Sequence, residues 1–85
     1  MPEKSLYYYI AIGDYEMKYY ERLRALREDR DISQTELANY LNIAQNTYSQ
    51  YENGKREIPI NILQKLCLYY KVSSDYILGL TDKKK

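Results

Sequence analysis

The chain contains no histidine, tryptophan or phenylalanine, one cysteine, three glycines and two prolines in 85 residues. Without histidine, imidazole acid–base chemistry is out of reach, and Cys67 alone cannot form an intramolecular disulfide or a zinc cluster. No carboxylate pair or activated nucleophile has a recognisable setting, so neither an enzyme nor a bound cofactor or metal is expected. No apolar run approaches the roughly 18 residues that suggest a membrane span. The opening MPEKSLYYYIAIG lacks the features of a secretory signal, so the expected compartment is the cytoplasm. Charge of one sign is also scarce: thirteen basic residues against twelve acidic ones leave +1, a weak general attraction to nucleic acid.

What is present suits one small folded domain. The chain is 45% hydrophobic and 29% charged, ordinary for a globular protein. A chain this short buries only about 60 to 65% of its unfolded surface, which implies modest stability helped by association. Cys67 falls among Leu63, Leu66 and Tyr70 at core spacing and reads as a small buried hydrophobe. All twelve aromatic residues are tyrosine, and because a buried phenol needs a partner for its hydroxyl, these rings are expected at the rim of the core.

The stretch SQTELANYLNIAQNTYSQYENGKR, from Ser33 to Arg56, reads as two short helices and a tight turn. Ser33 and Glu36 have the spacing of a capping box, Leu37, Ala38 and Leu41 share a face, and Asn42 can end the helix in a left-handed conformation. In the second helix Gln45, Asn46, Ser49, Gln50 and Asn53 occupy one arc of about 140° that is polar and uncharged. Tyr48 and Tyr51 lie opposite, and Gly54 ends the helix just before Lys55 and Arg56. Amides and hydroxyls are the groups that can read base edges in a major groove, although a solvated helix face carries them too.

With its flanks, this stretch resembles the Cro and phage-repressor type of helix-turn-helix DNA-binding domain. The resemblance runs from Leu23 to Leu80 and is most specific in SQTELANYL, in Tyr48 to Gly54 and in VSSDYILGL. It implies an all-α, compact five-helix, lambda-repressor-like fold at residues 17–81, with a short extension at 1–16 and a basic tail at 82–85. The implied function is a sequence-specific transcriptional regulator of repressor type, with helix 3 at about residues 45–53 in the major groove. Gln45, Asn46, Ser49 and Gln50 would touch bases, and Gln34, Asn53, Lys55 and Arg56 would hold phosphates. A homodimer on a near-palindromic double-stranded operator follows, with Ile58, Ile60, Tyr76 and Leu80 as candidate dimer contacts. The resemblance also pairs Arg27 of the first helix with Glu52. Two departures stand out: Arg30-Asp31 replaces a frequent glycine, and Ala44 leaves helix 3 without a side-chain cap.

The low net charge fits this reading only if charge is local. Asp29, Asp31, Glu36 and Asp75 need not face DNA, while Lys55, Arg56 and helix N-termini can, so moderate monomer affinity and reliance on dimer formation are expected. A first helix is expected at about 16–29, with Arg22, Arg24 and Arg30 on a solvated face and phosphate contact as a secondary role for Arg22 or Arg24. Pro59 opens a fourth helix with Leu63, Leu66, Cys67 and Tyr70 inward and Ile60 and Ile62 partly exposed. Ser73 caps a fifth helix that ends at Gly79, and Lys83 to Lys85 read as a solvated tail. LYYYIAI, within residues 1–16, reads either as a poorly packed chain end or as an aromatic run that docks onto a neighbouring subunit or another protein. The alternative function is therefore an antitoxin or anti-repressor-type interaction module on the same fold.

Overall fold

The computed structural model describes residues 17–85, so the expected extension at 1–16 and its partner role lie outside the described residues. Five helices form among the described residues: α1 (Tyr19–Asp29), α2 (Gln34–Leu41), α3 (Gln45–Glu52), α4 (Ile60–Tyr70) and α5 (Ser74–Leu78). The fold is all-α. Helix α1 starts later than the expected residue 16, because Lys18 is its cap and the Lys18 N–H donates to Glu21 Oε1 at 2.8 Å.

The helix ends follow from local chemistry. Ser33 Oγ accepts from the Glu36 N–H at 3.0 Å and Ser73 Oγ from the Tyr76 N–H at 3.0 Å, each satisfying a donor that a helix start leaves open. Only the Ser33 half of the capping box forms among the described residues. Asn42 turns left-handed after α2, at φ 61°, and the Ile43 N–H then closes back on Ala38 O at 3.0 Å. Where glycine is frequent in the resembled family, Asp31 takes φ 55°, and the Ile32 N–H reaches Arg27 O. Asp is among the few side chains that tolerate this region, so the turn survives the substitution.

The core joins Leu23 and Leu26 of α1, Leu37, Ala38 and Leu41 of α2, Tyr48 and Tyr51 of α3, Ile62, Leu66 and Tyr70 of α4, and Ile77 of α5. Ile62 is only 4% exposed while Ile60 is 73% exposed, which corrects the expectation that both lie partly outside. The inward stripe of α4 is Ile62, Leu66 and Tyr70, at i, i+4 and i+8, with Leu63 and Cys67 beside it at partial burial. Burial pushes the Cys67 thiol up, away from a reactive thiolate.

The tyrosines divide between core and rim. Tyr19, Tyr20, Tyr69 and Tyr76 are half-buried, as expected, whereas Tyr48, Tyr51 and Tyr70 are buried, and Tyr48 packs edge-on against Tyr51 with centroids 6.4 Å apart, as Tyr70 does against Tyr69 at 5.1 Å. The Tyr48 and Tyr70 hydroxyls have no hydrogen-bond partner among the described residues. Burying a large apolar ring is worth about 1.5–3 kcal/mol, enough to offset the about 1–3 kcal/mol that an unpaired hydroxyl costs.

Arg22 is tied down, not simply solvated, while Arg30 is exposed as expected and makes one hydrogen bond to the fold. Arg22 Nη1 donates to Tyr76 O and Thr81 O, both at 3.2 Å, its Nη2 lies 3.5 Å from Asp82, and its guanidinium stacks 4.4 Å from the Tyr76 ring centroid. Arg30 Nη2 donates to Tyr70 O at 3.2 Å. The tail is also engaged, since the Ser73 N–H donates to Lys84 O at 2.7 Å. The missed signal for Arg22 was its place one turn before the buried Leu26.

Candidate nucleic-acid interface

Helix α3 has two chemically distinct sides. Tyr48, Tyr51 and Glu52 are buried, while Gln45, Asn46 and the C-cap Asn53 are exposed and Ser49 and Gln50 are half-exposed. Its start is held by backbone alone: Ala44 has the extended conformation of a cap, at φ −68° and ψ 146°, but no side-chain bond. Gly54 then reverses the chain at φ 74°, and the Lys55 N–H donates to Gln50 O at 3.0 Å. Lys55 and Arg56 emerge exposed just beyond the reading arc.

Beneath the arc lies a charge. Glu52 is 1% exposed, and its carboxylate accepts from Arg27 Nε at 2.7 Å and from Arg27 Nη2 at 3.1 Å. Arg27 Nη1 donates onward to Ile32 O at 2.8 Å, which ties α1, the turn before α2 and α3 to one guanidinium. Gln34, the first residue of α2, adds a bond to Glu52 Oε1 at 3.1 Å. Burial alone would raise the Glu52 carboxyl, but the bonds from Arg27 and Gln34 outweigh it and hold the group below the usual carboxylate range. The Tyr48 hydroxyl sits close to the same carboxylate, outside hydrogen-bond geometry, and both burial and that negative charge push it far up. Arg27 is shifted upward by its bond to Glu52.

Two further links run to the exposed arc. Gln45 Nε2 donates to Gln34 Oε1 at 2.7 Å, so the first side chain of α3 is anchored through Gln34 to the buried carboxylate. At the other end Arg24 Nη2 donates to Asn53 Oδ1 at 2.9 Å, and Asn53 Nδ2 donates to Ser49 Oγ at 3.4 Å. Gln34 and Asn53, expected to hold phosphates, thus also have partners within the protein. Spacing gives no hint of the Gln45–Gln34 and Arg24–Asn53 links, because each joins side chains of different helices brought together by packing, whereas Asn53 and Ser49, four residues apart, are helical neighbours.

The four candidate dimer residues divide. Ile60 and Leu80 are each 73% exposed, whereas Ile58 and Tyr76 pack partly against the core. Ile58 also lines an open apolar depression of about 190 Å³ with Tyr19, Glu57, Leu63 and Leu78. None of the helices among the described residues is long and apolar enough to cross a membrane.

Several known proteins are similar to this chain in sequence. A family model described as "Helix-turn-helix" matches residues 23–77. The chain is 42% identical over 64 residues to the uncharacterised HTH-type transcriptional regulator YobD of Bacillus subtilis (strain 168), covering 75% of this chain and 57% of that one. It is 38% identical over 65 residues to the HTH-type transcriptional regulator ImmR of the same organism, covering 76% and 51%. Similarity to the cryptic phage CTXphi transcriptional repressor RstR of Vibrio cholerae is 37% over 51 residues, covering 60% and 46%. The chain therefore spans about half the length of the curated relatives it matches. With the match covering α2, the turn and α3, the chain belongs to the Cro and phage-repressor type of helix-turn-helix family.

Proposed function

We propose that the protein is a transcriptional regulator of repressor type that binds double-stranded DNA by laying α3 in the major groove. The observation that carries this reading is the construction of α3: an uncharged amide and hydroxyl arc facing out, fixed from beneath by the Glu52 carboxylate and its bonds to Arg27 and Gln34. A rigid platform matters because bidentate base contacts depend on side-chain aim, and Gln or Asn matches adenine N6 and N7 in this way. Gln45, Asn46, Ser49 and Gln50 read base edges, while Gln34, Asn53, Lys55 and Arg56 hold phosphates and set register.

Two copies act together, on a near-palindrome whose half-sites lie about 34 Å apart, one turn of the duplex. The exposed Ile60 and Leu80, with the partly buried Ile58 and Tyr76, supply the dimer contact. Such a protein works in the cytoplasm, and its task is recognition, with no catalytic step assigned. The antitoxin or anti-repressor alternative depends on residues 1–16, and nothing among the described residues favours it over DNA reading.

The test is selection from a pool of randomised duplexes by the native chain and by a variant with Gln45, Asn46 and Gln50 all changed to Ala. The native chain should enrich a near-palindrome that the variant fails to select. Equal selection by both would remove base reading from α3.

A further inference from the structure

Arginine is the side chain best shaped to grip a phosphate, and most arginines here are already committed to the fold. Arg22 is held by two carbonyls, Asp82 and the Tyr76 ring, and Arg27 by Glu52 and Ile32 O; Arg30, itself exposed, donates to Tyr70 O beside the Tyr70 ring, at the end of α4. Arg24 differs in that its hydrogen-bond partner, Asn53, lies on the polar arc of α3. Its side chain is 47% exposed, its Nε lies 3.6 Å from Glu52 Oε1, and its one hydrogen bond among the described residues is Nη2 to Asn53 Oδ1 at 2.9 Å.

We propose that Arg24, on α1, is a DNA-contacting residue that grips a backbone phosphate beside the C-terminal end of α3. The inference rests on the DNA-binding reading above and adds a contact from outside the helix-turn-helix itself.

Charge supports this assignment. Arg27 already engages both oxygens of Glu52, and Gln34 shares Oε1, so the single negative charge is matched before Arg24 is counted. Arg24 then leaves one unbalanced positive charge in this cluster, on its exposed side. In a chain of net charge +1 such a local excess is what phosphate attraction must come from. At 3.6 Å from Glu52 Oε1 and with its own side chain 47% exposed, Arg24 is a more distant partner of that carboxylate than Arg27, at 2.7 Å and 14% exposed.

Geometry supports it too. Asn53 and Ser49 belong to the polar arc, and the Ser49–Asn53–Arg24 chain fixes the guanidinium against that arc. Asn53 Oδ1 is an acceptor and cannot bind a phosphate oxygen, so facing it toward Arg24 leaves Nδ2 as the Asn53 phosphate donor. Arg24 Nη1 has no bond to another described residue and extends the same donor surface. One side chain from α1 and one from the end of α3 thereby form a shared phosphate clamp.

The experiment measures binding of the full chain to the duplex it selects, and to a scrambled duplex of the same composition, between about 50 and 200 mM salt. Arg24→Gln should weaken both complexes alike and reduce the slope of log affinity against log salt by about 0.9 per bound subunit, while Arg24→Lys keeps the native slope. An unchanged slope for Arg24→Gln overturns the assignment. A native chain that binds neither duplex overturns both this inference and the proposed function. A native chain that binds both duplexes equally, with the slope still reduced in Arg24→Gln, removes base reading and retains the Arg24 contact. The Arg24 Nε–H resonance of the native chain gives a readout independent of variant folding: it should move on adding the duplex, and a fixed resonance overturns the assignment.

Discussion

Arg27 and Glu52, on different helices, are joined by two hydrogen bonds of 2.7 and 3.1 Å around a carboxylate that is 1% exposed. Breaking one partner leaves the other charged and buried. Arg27→Ala should therefore cost about 3 kcal/mol, read from urea unfolding, whereas Arg27→Met combined with Glu52→Met should recover much of the loss. Equal destabilisation by the single and double variants would mean that packing, not the pair, holds α3 on α1.

The same carboxylate predicts a pH dependence. Its folded pKa lies below the ordinary value, because the bonds from Arg27 and Gln34 overcome the effect of burial. A depressed folded pKa gives stability that is fully present above the unfolded value, near pH 4.3, and is lost as pH falls through the lower folded value. The native chain should thus lose stability faster than Glu52→Gln below about pH 4.3, with parallel behaviour of the two above pH 5. Parallel acid limbs would contradict a depressed Glu52.

Gly54 and Gly79 both have positive φ, 74° and 83°, but differ in space. A Cβ at Gly54 would meet the Tyr20 ring at 2.7 Å, whereas one at Gly79 meets nothing within 4 Å. Gly79→Ala should cost about 1–2 kcal/mol for the left-handed backbone alone. Gly54→Ala should cost more, and Tyr20→Ala should reduce the difference between them in thermal melts.

Ala44 marks an unfilled cap. Because its backbone already has the extended cap conformation, Ala44→Ser should raise stability by about 0.5–1 kcal/mol without altering the helix bounds. A lower melting temperature would show that the Ala44 side is too crowded for the hydroxyl to turn onto α3.

The α4 stripe is tested by contrast. Ile62→Ala should cost about 2–5 kcal/mol, the range for emptying a packed core site, and Ile60→Ala less than about 0.5 kcal/mol at concentrations where the chain is monomeric. The reverse order would restore Ile62 to the surface.

The residues show what could be read without coordinates. Ser33, Asn42, Ser73 and Gly79 mark helix ends because a cap is a local matter of one side chain and its own backbone. The polar and buried sides of α3 were legible for the same reason, from spacing alone. The phase of α4 was not: the Ile62 and Leu63 stripes differ by 100°, and only its neighbours choose between them. Helical spacing puts Tyr48 and Tyr70 inward, and the general expectation of tyrosine at the rim fails for these two rings, whose hydroxyls are buried with them. The Arg22 bonds to Tyr76 O and Thr81 O, and the links Gln45–Gln34 and Arg24–Asn53, join residues far apart in the chain or set by turn geometry. Arg27–Glu52 came from a family resemblance, since no spacing relates those two positions.

The most direct measurement of major-groove reading by α3 replaces adenine with 7-deazaadenine, one position at a time, in the duplex the native chain selects. This removes the N7 acceptor and leaves Watson–Crick pairing intact. At least one position per half-site should lose about 1–3 kcal/mol of affinity for the native chain, and the same change should cost the Gln45, Asn46, Gln50 triple-alanine variant nothing further. Full native affinity at every substituted adenine, or equal losses for both proteins, would contradict amide-to-adenine reading by α3.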